Sequence, residues 1–113
     1  MGIYVKTTFT PQTGVWYHAM CVYSGTTMTL YVNGEYQSQG TATLKASADA
    51  LQVGVFYNGA SPALYFDGLI DEVRVYNRAL SSGEIQQLYY SNLAKSDVGK
   101  WLFTDYKQCL VSN

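Results

Sequence analysis

The stretch Phe66-Asp67-Gly68-Leu69-Ile70-Asp71-Glu72-Val73-Arg74-Val75-Tyr76-Asn77-Arg78-Ala79-Leu80-Ser81 carries most of what the sequence says about its fold. Together with Leu64 and Tyr65 it reads as a long extended run over residues 64–76, rich in the β-branched and aromatic side chains that suit a pleated, half-buried surface. The apolar–polar alternation slips at Asp71-Glu72, which predicts a bulge or bend there. The run then opens a helix. Ser81 and Glu84 have the S-x-x-E spacing of a capping box, with Leu80 and Ile85 at the two hydrophobic-staple positions. Ile85, Leu88 and Tyr89 give one apolar face to a single short helix near 82–90, and residues 91–99 read as polar loop.

Upstream, residues 27–32 alternate Met28, Leu30 and Val32 against Thr27, Thr29 and Tyr31, the pattern of a half-buried strand. Asn33-Gly34 follows at once. Both residues tolerate positive φ, as a type I′ turn requires, so a short strand at 35–38 should fold back on 27–32. Residues 15–23 (Val-Trp-Tyr-His-Ala-Met-Cys-Val-Tyr) and 3–9 read as further strands, separated by a Pro- and Gly-containing loop at 10–14. Short strands are expected at 41–44 and 51–57, a loop at 58–62, and two tail strands at 101–103 and 109–111. Seven or so strands with one helix make an all-β antiparallel sandwich.

Composition narrows the function. The chain has 113 residues, a one-domain length. Seven Lys and Arg against eight Asp and Glu leave a net charge of −1, which rules out the simplest nucleic-acid reading, one that needs a basic patch to neutralise phosphates. No run approaches the ~18 apolar residues of a membrane span. Residues 1–6 lack the layout of a signal peptide, so the chain is expected either to stay in the cell or to be cut from a longer exported one. Gly2 opens a loose myristoylation pattern that fails at Lys6. Cys21 and Cys109 are expected as free thiols, with a disulfide as the alternative, and their spacing suits no zinc site.

Three segments in order then carry a resemblance: Val-Trp-Tyr-His-Ala-Met at 15–20, Leu-Tyr-Val-Asn-Gly at 30–34, and 66–81 continuing into Gly-Glu-Ile-Gln-Gln-Leu-Tyr at 83–89. Together they resemble the C-terminal half of a LamG-like jelly roll, in the concanavalin A-like lectin/glucanase superfamily. The resemblance covers roughly residues 3–90. It implies a truncated jelly-roll sandwich over 1–90, with 91–113 as a tail that adds edge strands. It also implies an extracellular or cell-surface, lectin-like parent. The strands that normally precede the W-x-H strand are absent from the resemblance. A half sandwich leaves strand edges or faces without partners. Ala19, Cys21 and Tyr23 on one face of 15–23, with Met20 and Val22 on the other, suggest that both are covered, by the tail or by a second copy. A homo-oligomer completing the half-domain is the expectation.

Catalysis finds no support in the residues. A retaining glycosidase needs two carboxyl groups about 5–5.5 Å apart. Asp71 and Glu72 are neighbours in a strand and point to opposite faces, and Asp67 and Asp71 are about 13 Å apart on a regular strand. His18, the single histidine, has no nucleophile elbow beside it and reads as structural. Calcium is the one metal to weigh: the resemblance points to Asp71, with Asp67 as a weaker addition, although calcium asks for 6–8 oxygens. Eleven tyrosines suit sugar binding, because a phenol ring offers an apolar face and a polar tip. Tyr31, Tyr57, Asn58 and Tyr65 are the candidates, and Arg74 and Arg78 are expected to pair with Glu72 or to cap loops. The expected function is a non-catalytic carbohydrate-binding or adhesion module needing no cofactor. The alternative is a purely structural, self-assembling β-module with no sugar ligand.

Overall fold

The structure, a computed structural model, describes residues 3–4, 7–41, 43, 52–58, 61–99 and 110–111, with backbone alone in the terminal strands, at 56–58 and beyond Asn92. Among the described residues seven strands and one helix follow in order: β1 (Ile3–Tyr4), β2 (Ala19–Ser24), β3 (Thr27–Val32), β4 (Glu35–Thr41), β5 (Val55–Asn58), β6 (Ser61–Tyr65), α1 (Ser82–Gly99) and β7 (Leu110–Val111). They make three antiparallel sheets, β2-β3-β4, β5-β6 and β1-β7. The architecture is all-β, as the sequence predicts.

The middle strand carries the core. Met28, Leu30 and Val32 are buried on one face of β3, and Thr27, Thr29 and Tyr31 are half-buried on the other. Asn33 and Gly34 have φ of 52° and 78°, the paired positive values that the Asn-Gly turn was expected to adopt. Val32 faces Glu35 across it. Tyr17, Leu80 and Ile85 complete the buried apolar set.

The helix begins where its capping box places it. The Ser81 N–H donates to Glu84 Oε2 at 2.8 Å and the Glu84 N–H donates to Ser81 Oγ at 3.2 Å. Both staple residues, Leu80 and Ile85, are buried. The helix runs on to Gly99, so the loop expected at 91–99 is helix instead. The reason is visible on the buried stripe. Ile85 and Asn92 are buried and Leu88 and Tyr89 half-buried, and the fourth member of that i, i+3, i+4, i+7 set is polar. Apolar periodicity fades at Asn92 while the helical face continues.

Other expectations are corrected. The strand expected at 15–23 starts at Ala19, because the His18 N–H donates to Asn33 Oδ1 (2.9 Å), a side-chain acceptor. The strand at 3–9 is described only at Ile3–Tyr4, and the Phe9 N–H bonds the Thr7 hydroxyl. Thr41 ends β4, Thr43 lies outside any strand, and the rest of 41–44 is outside the described residues. The strand placed at 51–57 is β5, starting after Gly54 at φ +79°. The loop placed at 58–62 contains the start of β6, and the long strand at 64–76 stops at Tyr65. A strand needs a neighbour for its N–H and C=O groups, and residues 66–80 join no ladder. The bend at Asp71-Glu72 is present, with Glu72 at φ +50°. Of the two tail strands, 101–103 is outside the described residues, and Leu110–Val111 pairs with β1.

Cys21 is disulfide-bonded, against the expectation of a free thiol. The sequence contains one other cysteine, Cys109, itself outside the described residues. Cys21 pairs with the buried Leu30 across β2-β3, and β7 starts one residue after Cys109. Long-range return of a tail leaves no mark in local sequence.

Candidate functional site

His18 sits between the Asn33-Gly34 turn and α1. The His18 backbone bonds Asn33 twice, through its N–H to Asn33 Oδ1 and by accepting from the Asn33 N–H at 2.7 Å. The helix rests on the same turn: a Cβ at Gly34 would stand 3.4 Å from Gln86 Cα and 3.4 Å from Tyr89 Cδ1. Gly34 therefore serves the left-handed turn, and α1 packs on it at van der Waals distance. The His18 ring lies 6.1 Å from the Tyr89 ring, and its Nδ1 is buried without a hydrogen-bond partner. Burial, and secondarily the Arg74 charge, hold its pKa below the usual histidine value. Set against Tyr89 with its Nδ1 buried, the ring is a packing element.

The tyrosine candidates fall in two places. Tyr31 is half-buried in β3 and meets its register partner Tyr36 edge-to-face at 6.3 Å. Tyr65 ends β6 and is 73% exposed. Its register partner is Val55, and Tyr57 stands two residues further along β5. Asn58 pairs with Ser61 at the tip of this hairpin. The Phe66 N–H donates to the Gly54 carbonyl at 2.8 Å and closes the hairpin's base. Tyr57, Asn58 and Tyr65 thus share one two-stranded ribbon, and Tyr31 belongs to the three-stranded sheet.

The two calcium candidates lie on the exposed stretch 67–79. Asp67 and Asp71 are both exposed, and Asp71 Oδ1 accepts from the Glu72 N–H at 2.8 Å, at the bend. Among the described residues, no three His, Cys, Asp or Glu side chains gather in a group fit for a metal ion. Glu72 pairs with Arg74 at 2.7 Å, as expected. Arg78 goes elsewhere, to both carboxylate oxygens of Glu84 at 3.0 and 2.8 Å. Arg78 and the capping box hold the Glu84 carboxyl down at about 2.

Sequence reading missed a shallow cleft of about 330 Å³ between this segment and α1. Tyr76, Leu80, Leu88 and Gln87 line it, together with the Arg78–Glu84 pair. The S-x-x-E spacing next to Arg78 was the available signal, since it puts the two charges on one helix start. Those charges satisfy each other and the helix end.

Two depressed pKa values set the acid response. The unfolded chain protonates His18 near 6.5 and the folded protein resists it, so folding stability should fall as pH drops below 6.5. Glu84 supplies a stabilising interaction that is full above 4.5 and fades as pH falls toward 2. A melting series from pH 8 to pH 3 should show two descending steps. Replacing Glu84 with Gln should remove the lower step and keep the upper one. A lower step that survives Glu84→Gln would contradict the assignment.

A family model described as the concanavalin A-like lectin/glucanases superfamily matches residues 2–86. Among solved structures, the chain is similar to the crystal structure of an S-layer domain-containing protein (residues 221–444) from Clostridium thermocellum, at 31% identity and a TM-score of 0.64. That likeness covers 74% of this chain and 43% of the other, so the chain spans less than half of the structure it matches. No curated protein matches the chain.

Proposed function

Because the chain belongs to the concanavalin A-like lectin/glucanase superfamily, we propose that it is a non-catalytic module that binds saccharide at a cell surface and assembles with copies of itself. The observation that carries the ligand reading is the exposure of Tyr65, 73% open on a hairpin that also bears Tyr57 and Asn58. An exposed phenol stacks on the apolar face of a pyranose and keeps its hydroxyl in water. Tyr31 is the weaker contributor, because it is half-buried against Tyr36.

Two observations support the setting. The similar solved structure is that of an S-layer domain-containing protein. The disulfide at Cys21 is of a kind that persists in oxidising surroundings. The non-catalytic reading is supported by the carboxylates: Glu72 and Glu84 are neutralised by arginines, and Asp71 bonds its neighbouring backbone.

Retention on insoluble polysaccharides tests the ligand. Tyr65→Ala and Tyr57→Ala are expected to abolish it, and at so exposed a position Tyr65→Ala should shift stability by no more than about 0.5 kcal/mol. Retention unchanged in both variants would remove the hairpin as the site. The same assay with a chelator is expected to show no loss, because no cofactor is required. A loss reversed by calcium would instead assign a cation to Asp71 and Asp67.

A further inference from the structure

Residues 69–76 have the composition of a strand and lie outside any ladder. Leu69 is 70% exposed, Val73 56% and Val75 73%, while Ile70 and Tyr76 are 36% and 38% exposed. Singly exposed apolar side chains are ordinary, but Leu69, Val73 and Val75 within seven residues form an open apolar run, while Ile70 leans on Gly54 and Tyr76 lines the cleft beside α1, each leaving over a third of its surface open. Peptide groups outside a ladder are complementary to another strand.

The sequence of the segment says which strand fits. Set antiparallel to itself about Val73, it places Val73 against Val73 of the second copy, on the two-fold axis. Glu72 then faces Arg74 of the second copy, and Arg74 faces Glu72, giving two opposite-charge pairs. Ile70 faces Tyr76, also twice. One face of the segment is therefore matched at every position by charge and by shape, as an isologous contact requires. Asp71 comes opposite Val75 with its Oδ1 on the Glu72 N–H. With Val73 as a hydrogen-bonded pair, that N–H points away from the second copy and the bond is retained. The pairing also lets Glu72 leave φ +50°, a conformation that L-residues other than glycine rarely hold.

We propose that residues 69–76 are the dimer seam of this protein, pairing antiparallel with the same residues of a second copy in the register centred on Val73. The seam rests on the self-assembly reading above and gives it a place and a geometry.

Light scattering of the full chain should give the mass of two chains. Glu72→Arg and Arg74→Glu each set like charges opposite one another, and each should weaken the dimer by at least about tenfold. Both variants lose the intrachain 2.7 Å pair, so that loss alone cannot explain a rescue. Mixed in equal amounts, the two variants regain complementary charges only across the seam, and the two-chain mass should return. Val73→Cys should cross-link to itself under mild oxidation, since Cα atoms about 5.5 Å apart suit a disulfide. Val75→Cys, which faces Asp71, should not. A one-chain mass at all concentrations overturns the seam and the self-assembly reading together. An assembly that neither charge variant disturbs overturns the seam alone. Polysaccharide retention by Tyr65 reads the ligand separately from either.

Discussion

Reducing the disulfide at Cys21 is expected to lower the melting temperature by roughly 15 °C, as is Cys21→Ala. Cys21 sits in β2, opposite the buried Leu30. Cys109 is its one possible partner in the chain, and a bridge between them closes a loop over most of the sequence. On the chain-entropy account, loops that long are worth about 4 kcal/mol or more. The native side has little to replace the bridge: β7 holds β1 through a two-residue pairing, Ile3 with Val111 and Tyr4 with Leu110. Calorimetry with and without a reductant measures the shift. A non-reducing gel should show a one-chain band, as an intramolecular bridge requires. A melt unchanged by reduction would mean that packing alone holds the sheet.

The second large effect is expected at Ile85. Its side chain is fully buried at 0% exposure, next to the capping box and on the stripe that sits over the Asn33-Gly34 turn. Ile85→Ala should cost about 3 kcal/mol, the transfer term plus a cavity that the helix cannot collapse, since Gly34 already stands against Gln86 and Tyr89. Leu64, 63% exposed on β6, is the control: Leu64→Ser should change stability by less than about 0.5 kcal/mol. Denaturant unfolding at constant m-value separates the two. A cost below about 1 kcal/mol at Ile85 would show that α1 does not seal the core.

The two variants probe different layers of information. Ile85 could be picked from sequence, because a capping box and a staple are local devices that act within one turn of helix. The disulfide could not, because the fold must bring a partner to Cys21 and no local spacing encodes that.

The candidate site divides in the same way. Tyr65 is legible as an aromatic beside a loop, while its 73% exposure at the end of β6 is a property of the folded chain. Tyr31 was assigned correctly to the face opposite Met28, Leu30 and Val32, but its contact with Tyr36 depends on a register shift between Leu30 and Tyr31. Arg74 found Glu72 two residues away, and Arg78 found Glu84 only because the helix start turned the carboxylate back. The second of those partners depends on a three-dimensional turn that charge counting does not contain.

By itself the sequence determined the β2-β3-β4 meander, the positive-φ turn at Asn33-Gly34, the start of α1 and the bend at Asp71-Glu72. Each is set by steric and hydrogen-bonding demands among residues a few positions apart, and those demands hold wherever the segment lies. Tertiary structure alone decided where β2 begins, how far α1 extends past Asn92, which cysteine chemistry applies, and that residues 66–76 form no ladder. A strand exists only with a neighbour to take its hydrogen bonds, and a helix face is buried only where a surface meets it. For residues 69–76 no strand among the described residues supplies that neighbour.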